Sequence, residues 1–260
     1  MTKTVLITGA SLGIGLEFAK IFARQGYDLV LVARSEDKLK ALADEILRMK
    51  PSVTTHLMVK DLSIAGSGKE IFDELRSKNI QIDVLVNNAG FGDYGLFHES
   101  KLDRQLQMID LNVRSLTELT HLFGSLMVAR KDGKILNVAS TAAFQPGPLL
   151  SVYYATKHFV LAFSEGIANE WKEHGVTVTV LCPGPTESGF QEAANMGASK
   201  LFKTMKLPSS QEVAQYGFDA MMSGKVVAVH GTMNKVVSSS VRFMPRGLIT
   251  KVVRKIQDRI

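Results

Sequence analysis

Cysteine is nearly absent. Cys182 stands alone, so no intrachain disulfide can form, and its place between the apolar run Val176–Leu181 and Pro183 suits a small buried hydrophobe better than a nucleophile. No uninterrupted apolar run approaches the roughly 18 residues of a membrane-spanning helix, so no such helix is expected. The first residues lack a basic segment leading into a long apolar core. No signal peptide is expected, and the default location is the cytoplasm. The six histidines are scattered, with none beside a cysteine or second histidine at ligand spacing, so no metal is expected. Acid is in deficit: 31 Lys and Arg face 25 Asp and Glu, a formal net charge of +6. Much of that excess sits in the last 20 residues. A basic chain can meet nucleic acid, an anionic membrane or an anionic small molecule. For this chain as a whole the reading is a basic surface with no nucleic-acid partner.

What is present is a hydrophobic fraction of 45%, enough for a large core, and short apolar runs separated by amphipathic stretches. Val5–Thr8, Leu29–Ala33, Thr55–Val59, Val84–Val86, Lys134–Val138, Val176–Leu181 and Val226–Val229 read as strands. They are rich in Val, Ile and Leu and barely alternate, as strands covered on both faces do. Helical patterns lie at Gly15–Arg24, Asp37–Met49, Gly68–Ser77, Leu102–Val128 and Tyr153–His174. The alternation predicts an α/β fold with a doubly wound parallel sheet of about seven strands. No linker or composition break divides the chain, so residues 1–240 are expected to be one catalytic domain. Residues 187–210, rich in small and polar residues and Met, read as an excursion. There Phe190, Met196, Leu201, Phe202, Met205 and Leu207 suit an apolar lid or a loop with a few core anchors. Residues 241–260 form a basic extension, in which Ile249, Val252, Val253, Ile256 and Ile260 recur at helical spacing. Such a helix can pack on its own subunit, join an oligomer interface or lie on an anionic membrane.

The first strand runs into Thr8, Gly9, Ala10, Ser11, Leu12, Gly13, Ile14 and Gly15 and then a helix. Glycines there permit a tight turn and let backbone N–H groups approach a pyrophosphate, while the helix N-terminus faces the same anion. An ordinary glycine-rich turn is the plainer alternative; the position after the first strand favours dinucleotide binding. Tyr153 and Lys157, four apart on a helix, share a face. An ammonium beside a phenol stabilises phenolate, which suits a general acid and base. An interfacial Tyr with a solvated Lys would show the same spacing. Ser140 ends the fifth strand, where ligand sites lie in open α/β sheets, and its hydroxyl suits either a substrate oxygen or a loop cap. Asn112 lies within the helical stretch after the fourth strand.

Taken together, the ordered motifs resemble the short-chain dehydrogenase/reductase family. Thr8 to Gly15 match its T-G-x3-G-x-G; Asn87 to Gly90 match its sequence after the fourth strand; Asp61 and Leu62 close the third strand; Ser140, Tyr153 and Lys157 keep its intervals; and Pro183 and Gly184 follow the sixth strand. The resemblance spans about residues 3 to 232. It implies a nicotinamide cofactor held by Gly9, Ser11, Gly13, Ile14, Gly15, Asp61, Leu62, Asn88, Ala89, Gly90, Tyr153, Lys157, Pro183, Gly184 and Thr186. It implies Tyr153 as acid and base, Ser140 on the substrate oxygen, Lys157 lowering the tyrosine pKa and binding the nicotinamide ribose, and Asn112 holding a water behind Lys157. A buried Asn satisfied by backbone is the alternative for Asn112. The motif Tyr-x3-Lys selects Tyr153 and leaves Tyr154 to packing. Thr186 and Ser188 depart from the family's P-G-x-V-x-T.

Cofactor choice is read at Arg34, just after the second strand, where NAD sites commonly carry an acid. Arg34 suits the 2′-phosphate of NADP. Glu36 and Asp37 read as first-turn acids of the next helix, with Ser35 as N-cap. The expected activity is hydride transfer between NADP and a ketone, aldehyde or alcohol, in a homodimer or homotetramer. The alternatives are a 3-oxoacyl thioester reductase and a non-catalytic dinucleotide-binding scaffold. A Rossmann methyltransferase would not need Tyr-x3-Lys with an upstream Ser.

Overall fold

A computed structural model describes residues 2–190, 194 and 207–258. Seven strands form the sheet: β1 (Thr4–Thr8), β2 (Asp28–Ala33), β3 (Thr55–Val59), β4 (Val84–Asn87), β5 (Gly133–Val138), β6 (Val176–Cys182) and β7 (Val227–Val229). Every pair is parallel, in the order β3-β2-β1-β4-β5-β6-β7. The direction of winding reverses between β1 and β4, and ligands bind at such a switch point. The seven strands match the apolar runs to within a residue at each end.

Successive side chains of a strand point to opposite faces. Val5, Ile7, Leu29 and Leu31 therefore pack one way, onto helices α1 (Gly13–Arg24), α2 (Glu36–Met49) and α7 (Ser210–Met222) through Phe18, Phe22, Leu39, Ile46 and Phe218. Leu6, Val30, Val32, Leu85 and Ile135 pack the other way, onto α3 (Ser67–Ser77) and α5 (Leu116–Arg130) through Ile71, Leu75, Leu119, Phe123 and Met127. Each such Leu, Ile or Phe removed from water contributes about 1.5–3 kcal/mol. Apolar residues on both sides are why the strands show no alternation in sequence.

The stretch 102–128 is not one α-helix. It comprises α4 (Leu102–Ile109), a π-helical segment Asp110–Ser115 and α5. The wider turn carries Asn112, and π-bulges recur at functional sites. Helix α6 (Ser151–Trp171) carries Tyr153 and Lys157. It is tied to the sheet by a buried polar ladder. Asn87 Nδ2 donates to Thr120 Oγ1 and to Asn137 Oδ1, both at 2.9 Å, and Asn137 Nδ2 donates to Ser164 Oγ at 2.9 Å. Ser164 in turn donates to the Val160 carbonyl at 2.6 Å.

The two ends of the 187–210 excursion meet. Glu187 N donates to Pro208 O at 3.0 Å, and Ser210 Oγ donates to Glu187 O at 2.7 Å. Of the expected apolar lid, Met196, Leu201, Phe202 and Met205 lie outside the described residues. The chain continues through α7, begun by a capping box of Ser209 and Glu212, then β7, α8 (Thr232–Ser240) and α9 (Arg246–Gln257). Helix α9 follows Pro245, as its periodicity predicts, but its stripe is turned. Ile249, Val253 and Gln257 face inward at i, i+4 and i+8, while Val252 and Ile256 are exposed; Ile260 lies outside the described residues. No helix among the described residues is long and apolar enough to cross a membrane.

Candidate active site

The carboxyl ends of β1, β4, β5 and β6 and the start of α6 enclose one cavity. Its phosphate side is the glycine loop. Gly9 and Gly13 have φ of +66° and +56°, and a Cβ on Gly15 would fall 2.3 Å from the Gly9 carbonyl oxygen. Only glycine fits there. Leu12 is the N-cap residue of α1 and makes no side-chain capping bond, so the first N–H groups of α1 are left for an anion. Thr8 fastens the loop: its hydroxyl donates to Val86 O at 3.3 Å and accepts from Asn88 N and Ala89 N, both at 3.0 Å. The Asn88 side chain donates to Thr8 O at 3.0 Å and Gly9 O at 3.2 Å. Asn88 thus braces the loop across the switch point while lining the cavity.

On the reaction side, Ser140 sits at the end of β5. Its Oγ accepts from Ala142 N at 3.1 Å, opening a short helical turn, and its hydroxyl stands beside the Tyr153 phenol, close enough to favour the phenolate. Lys157 Nζ donates to the Val138 carbonyl at 2.8 Å and lies 5.7 Å from the Tyr153 ring centroid. Tyr153 and Lys157 are both buried. Burial disfavours the charged form of each. It pushes the Tyr153 phenol up to about 12, against a lowering by the Ser140 hydrogen bond. It brings Lys157 down to about 8, opposed by Cys182 nearby. The expectation that Lys157 holds the phenol below its ordinary value is therefore corrected, because desolvation outweighs every other influence on Tyr153. At neutral pH the phenol keeps its proton. Burial also pushes the Cys182 thiol up to about 12, which makes it inert.

Gly9, Gly13, Ile14, Asn88, Ala89, Gly90, Ser140, Tyr153, Lys157, Pro183, Gly184 and Thr186 line the cavity; Ser11, Gly15, Arg34, Asp61, Leu62 and Asn112 do not. Arg34 is exposed at the end of β2. Asp61 accepts at Oδ1 from Ser63 N at 2.9 Å and Ser63 Oγ at 2.7 Å, which shapes the turn after β3. Asn112 is buried beside Lys157, but its bonds run elsewhere. Oδ1 accepts from Phe91 N at 3.2 Å, and Nδ2 donates to Phe91 O at 3.0 Å and Thr156 Oγ1 at 3.1 Å. That is the backbone-satisfied alternative, and it makes Asn112 a brace between the loop after β4 and α6. Thr186 Oγ1 donates to Gly184 O at 2.9 Å.

Tyr154 does not turn away to packing alone, as its sequence position suggests. It lines the same cavity, its ring centroid 6.1 Å from that of Tyr153, and it packs so closely on Gly147 that a Cβ there would fall 2.2 Å from the ring. Sequence reasoning also missed Leu150 and Gln257 as cavity residues. Leu150 follows Leu149, whose φ of +70° turns the chain into α6. Among the described residues, no three His, Cys, Asp or Glu converge as metal ligands.

The short chain dehydrogenase family profile matches residues 3–198. Rat very-long-chain 3-oxoacyl-CoA reductase is 32% identical over 252 residues, 92% of this chain and 76% of that one. Mouse 17-beta-hydroxysteroid dehydrogenase type 3 is 34% identical over 70% of this chain. The matched segment spans 60% of that dehydrogenase and 58% of the duck very-long-chain 3-oxoacyl-CoA reductase. Among solved structures, a short-chain dehydrogenase from Sphingobium yanoikuyae in complex with NADPH superposes with a TM-score of 0.83, at 30% identity over 95% of this chain and 94% of that one. The Rossmann-type sheet, the ordered motifs and these matches carry one conclusion: the chain belongs to the short-chain dehydrogenase/reductase family.

Proposed function

We propose that the chain reduces a ketone or aldehyde, or oxidises the corresponding alcohol, with NADP as the preferred cofactor and Tyr153 as acid and base. The observation that carries this reading is the convergence of Ser140, Tyr153 and Lys157 with the glycine loop in one cavity. The cavity fits a nicotinamide dinucleotide because the open N-terminus of α1 and the side-chain-free backbone at Gly9 and Gly15 accept a pyrophosphate. Gly9, Gly13 and Ile14 would hold the phosphates, Ala89, Gly90, Lys157, Pro183, Gly184 and Thr186 the nicotinamide end, and Arg34, Asp61 and Leu62 the adenosine end. When bound, that cofactor supplies or accepts the hydride.

The protein's share is orientation and protons. Ser140 and Tyr153 present adjacent hydroxyls to one substrate oxygen. Tyr153, neutral at physiological pH, donates its proton as negative charge develops on that oxygen. Lys157 places a cation behind the forming phenolate and stabilises it there. Buried surroundings strengthen both effects.

NADP preference rests on Arg34 and on the fate of the acids that follow it. Glu36 is paired with Lys40 at 2.7 Å along α2, a partner that competes with a ribose for it. The NADPH-bound relative supports the same choice. We place the protein in the cytoplasm, as a homodimer or homotetramer acting on a small molecule. The exposed Lys251, Arg254 and Lys255 of α9 leave peripheral contact with an anionic membrane as a secondary property.

A 3-oxoacyl thioester is the second substrate reading, favoured by the match to the rat reductase over nearly the whole chain. One screen separates the readings. Ketones, aldehydes and 3-oxoacyl thioesters are offered with NADPH and absorbance is followed, in wild type and in Tyr153→Phe. Turnover that falls roughly 100- to 10,000-fold in the variant, with cofactor affinity retained, is the expected result. Near-native turnover in Tyr153→Phe refutes the mechanism.

A further inference from the structure

Helix α8 is built inside out. Its one buried residue is Ser238, and Asn234, on the same side, donates to the His230 carbonyl at 2.8 Å. Met233, Val236 and Val237 face solvent, the first two 71% and 60% exposed. The short helical turn that follows, Val241–Phe243, ends in a phenylalanine that is 88% exposed. On α9, Leu248, Val252 and Ile256 recur every four residues as a second exposed stripe, beside the inward line of Ile249, Val253 and Gln257. Single apolar side chains on a surface are ordinary, but a run of them along two successive helices marks a surface that meets something apolar. The charge pattern identifies what it meets. Between Thr232 and Gln257 the chain carries Lys235, Arg242, Arg246, Lys251, Arg254 and Lys255, all exposed, and no Asp or Glu. Helical geometry sets Lys251 and Lys255 along the outer edge of the Leu248–Ile256 stripe, away from the body of the protein.

We propose that α8, the turn Val241–Phe243 and α9 form a docking surface for an anionic lipid bilayer, with Phe243 as its apolar anchor and the cations on the lipid phosphates. The proposal goes beyond the cation contact of α9 suggested above, because it assigns the exposed apolar residues of both helices, and it needs no reductase activity. An apolar face edged by cations fits the boundary between headgroups and acyl chains. A second copy of the chain fits poorly. A two-fold contact lays the same patch on both sides, so the six cations would meet their own copies with no acid to answer them. A bilayer supplies apolar chains and negative charge together, and the cytoplasmic leaflet is anionic. Both helices also border the cavity. Asn234 packs on Gly184, where a Cβ would fall 2.5 Å from its amide nitrogen, and Gln257 lines the wall. A bilayer held by this surface lies beside the site.

The test is co-sedimentation of the full chain with two kinds of vesicle: phosphatidylcholine alone, and phosphatidylcholine with a third of it replaced by phosphatidylserine. The wild type is expected to bind the second kind preferentially and to be released by added salt. Phe243→Ser is expected to weaken that binding on the order of 10-fold or more, from the apolar area kept out of the lipid. Lys251→Gln combined with Lys255→Gln is expected to weaken it about 25-fold, at about 5-fold for each cation. All three side chains are exposed, so denaturant unfolding of the variants should match the wild type, and that measurement separates lost docking from lost fold. Absence of binding to the serine-containing vesicles overturns the proposal, and so does equal binding to the two kinds of vesicle or equal binding by wild type and variants. A dimer in sedimentation velocity that Phe243→Ser disperses overturns it as well, since a second copy then covers the surface. Vesicle binding is read without turnover, so its failure and that of the reductase reading are told apart.

Discussion

Lys157 is held in the fold at a cost that varies with pH. Its folded-state pKa is about 8, against an ordinary value of 10.5, because burial disfavours the ammonium. The unfolded chain keeps the proton to higher pH than the folded chain does. Between about pH 8 and 10.5 the unfolded state therefore binds more protons, and stability contributed by this group rises with pH across that window. Below it the buried ammonium opposes folding by about 3 kcal/mol, at about 1.4 kcal/mol per pKa unit. Lys157→Met removes the charge at similar volume. It also leaves the Val138 carbonyl without its donor, which costs about 1–3 kcal/mol. At pH 7 the variant is expected to match the wild type or exceed it by up to about 2 kcal/mol, while losing turnover on the proposed mechanism. The sharper expectation is differential: from pH 7 to pH 10 the wild type gains about 2–3 kcal/mol on the variant. Denaturant unfolding of both proteins without cofactor at the two pH values measures it, and groups common to both cancel. Parallel pH profiles would refute the claim that Lys157 is buried at a depressed pKa.

Arg34→Ala should weaken NADP binding about 10- to 150-fold, as expected for removing one charged hydrogen-bond partner, and leave NAD binding nearly unchanged. Calorimetric titration of both cofactors decides it, and equal losses would show that Arg34 does not read the phosphate. Truncation after Pro245 strips Ile249, Val253 and Gln257 from the body of the protein. It should cost about 2–5 kcal/mol in denaturant unfolding, from the apolar area exposed. An unchanged unfolding free energy would mean that α9 does not pack on its own subunit.

How far the sequence reveals the molecule depends on the range of each interaction. The strands are legible because burial on both faces demands continuous apolar runs such as Leu29–Ala33. Tyr153, Lys157 and Ser140 are legible because helical spacing and strand ends constrain them locally. The π-helical turn at Asp110–Ser115 leaves no compositional mark, since it differs from an α-helix only in hydrogen-bond partner. The direction of the Tyr153 pKa shift is not legible in the sequence, which shows an adjacent lysine but not the depth of burial. The periodicity of α9 announces a helix but not which residues face inward. The contact of Gln257 with Tyr154 spans 103 positions, and no local pattern encodes it.

The polar ladder from Asn87 through Asn137 to Ser164 makes α6 a lever with a pivot. Ser164 is its inner support, and Tyr153 stands 11 residues toward the N-terminus, about 16 Å along the axis, beyond the nearer supports at Thr156 and Lys157. A tilt of about 5° at the pivot sweeps the Tyr153 phenol by roughly 1.4 Å, and a misplacement of that order can cost about 100-fold in rate. The aim of the Tyr153 phenol is thus set in part in the middle of the sheet, away from the cavity. Ser164→Ala, which removes one oxygen from a packed interior, should register first as a fall in kcat, well before a melting curve shows damage.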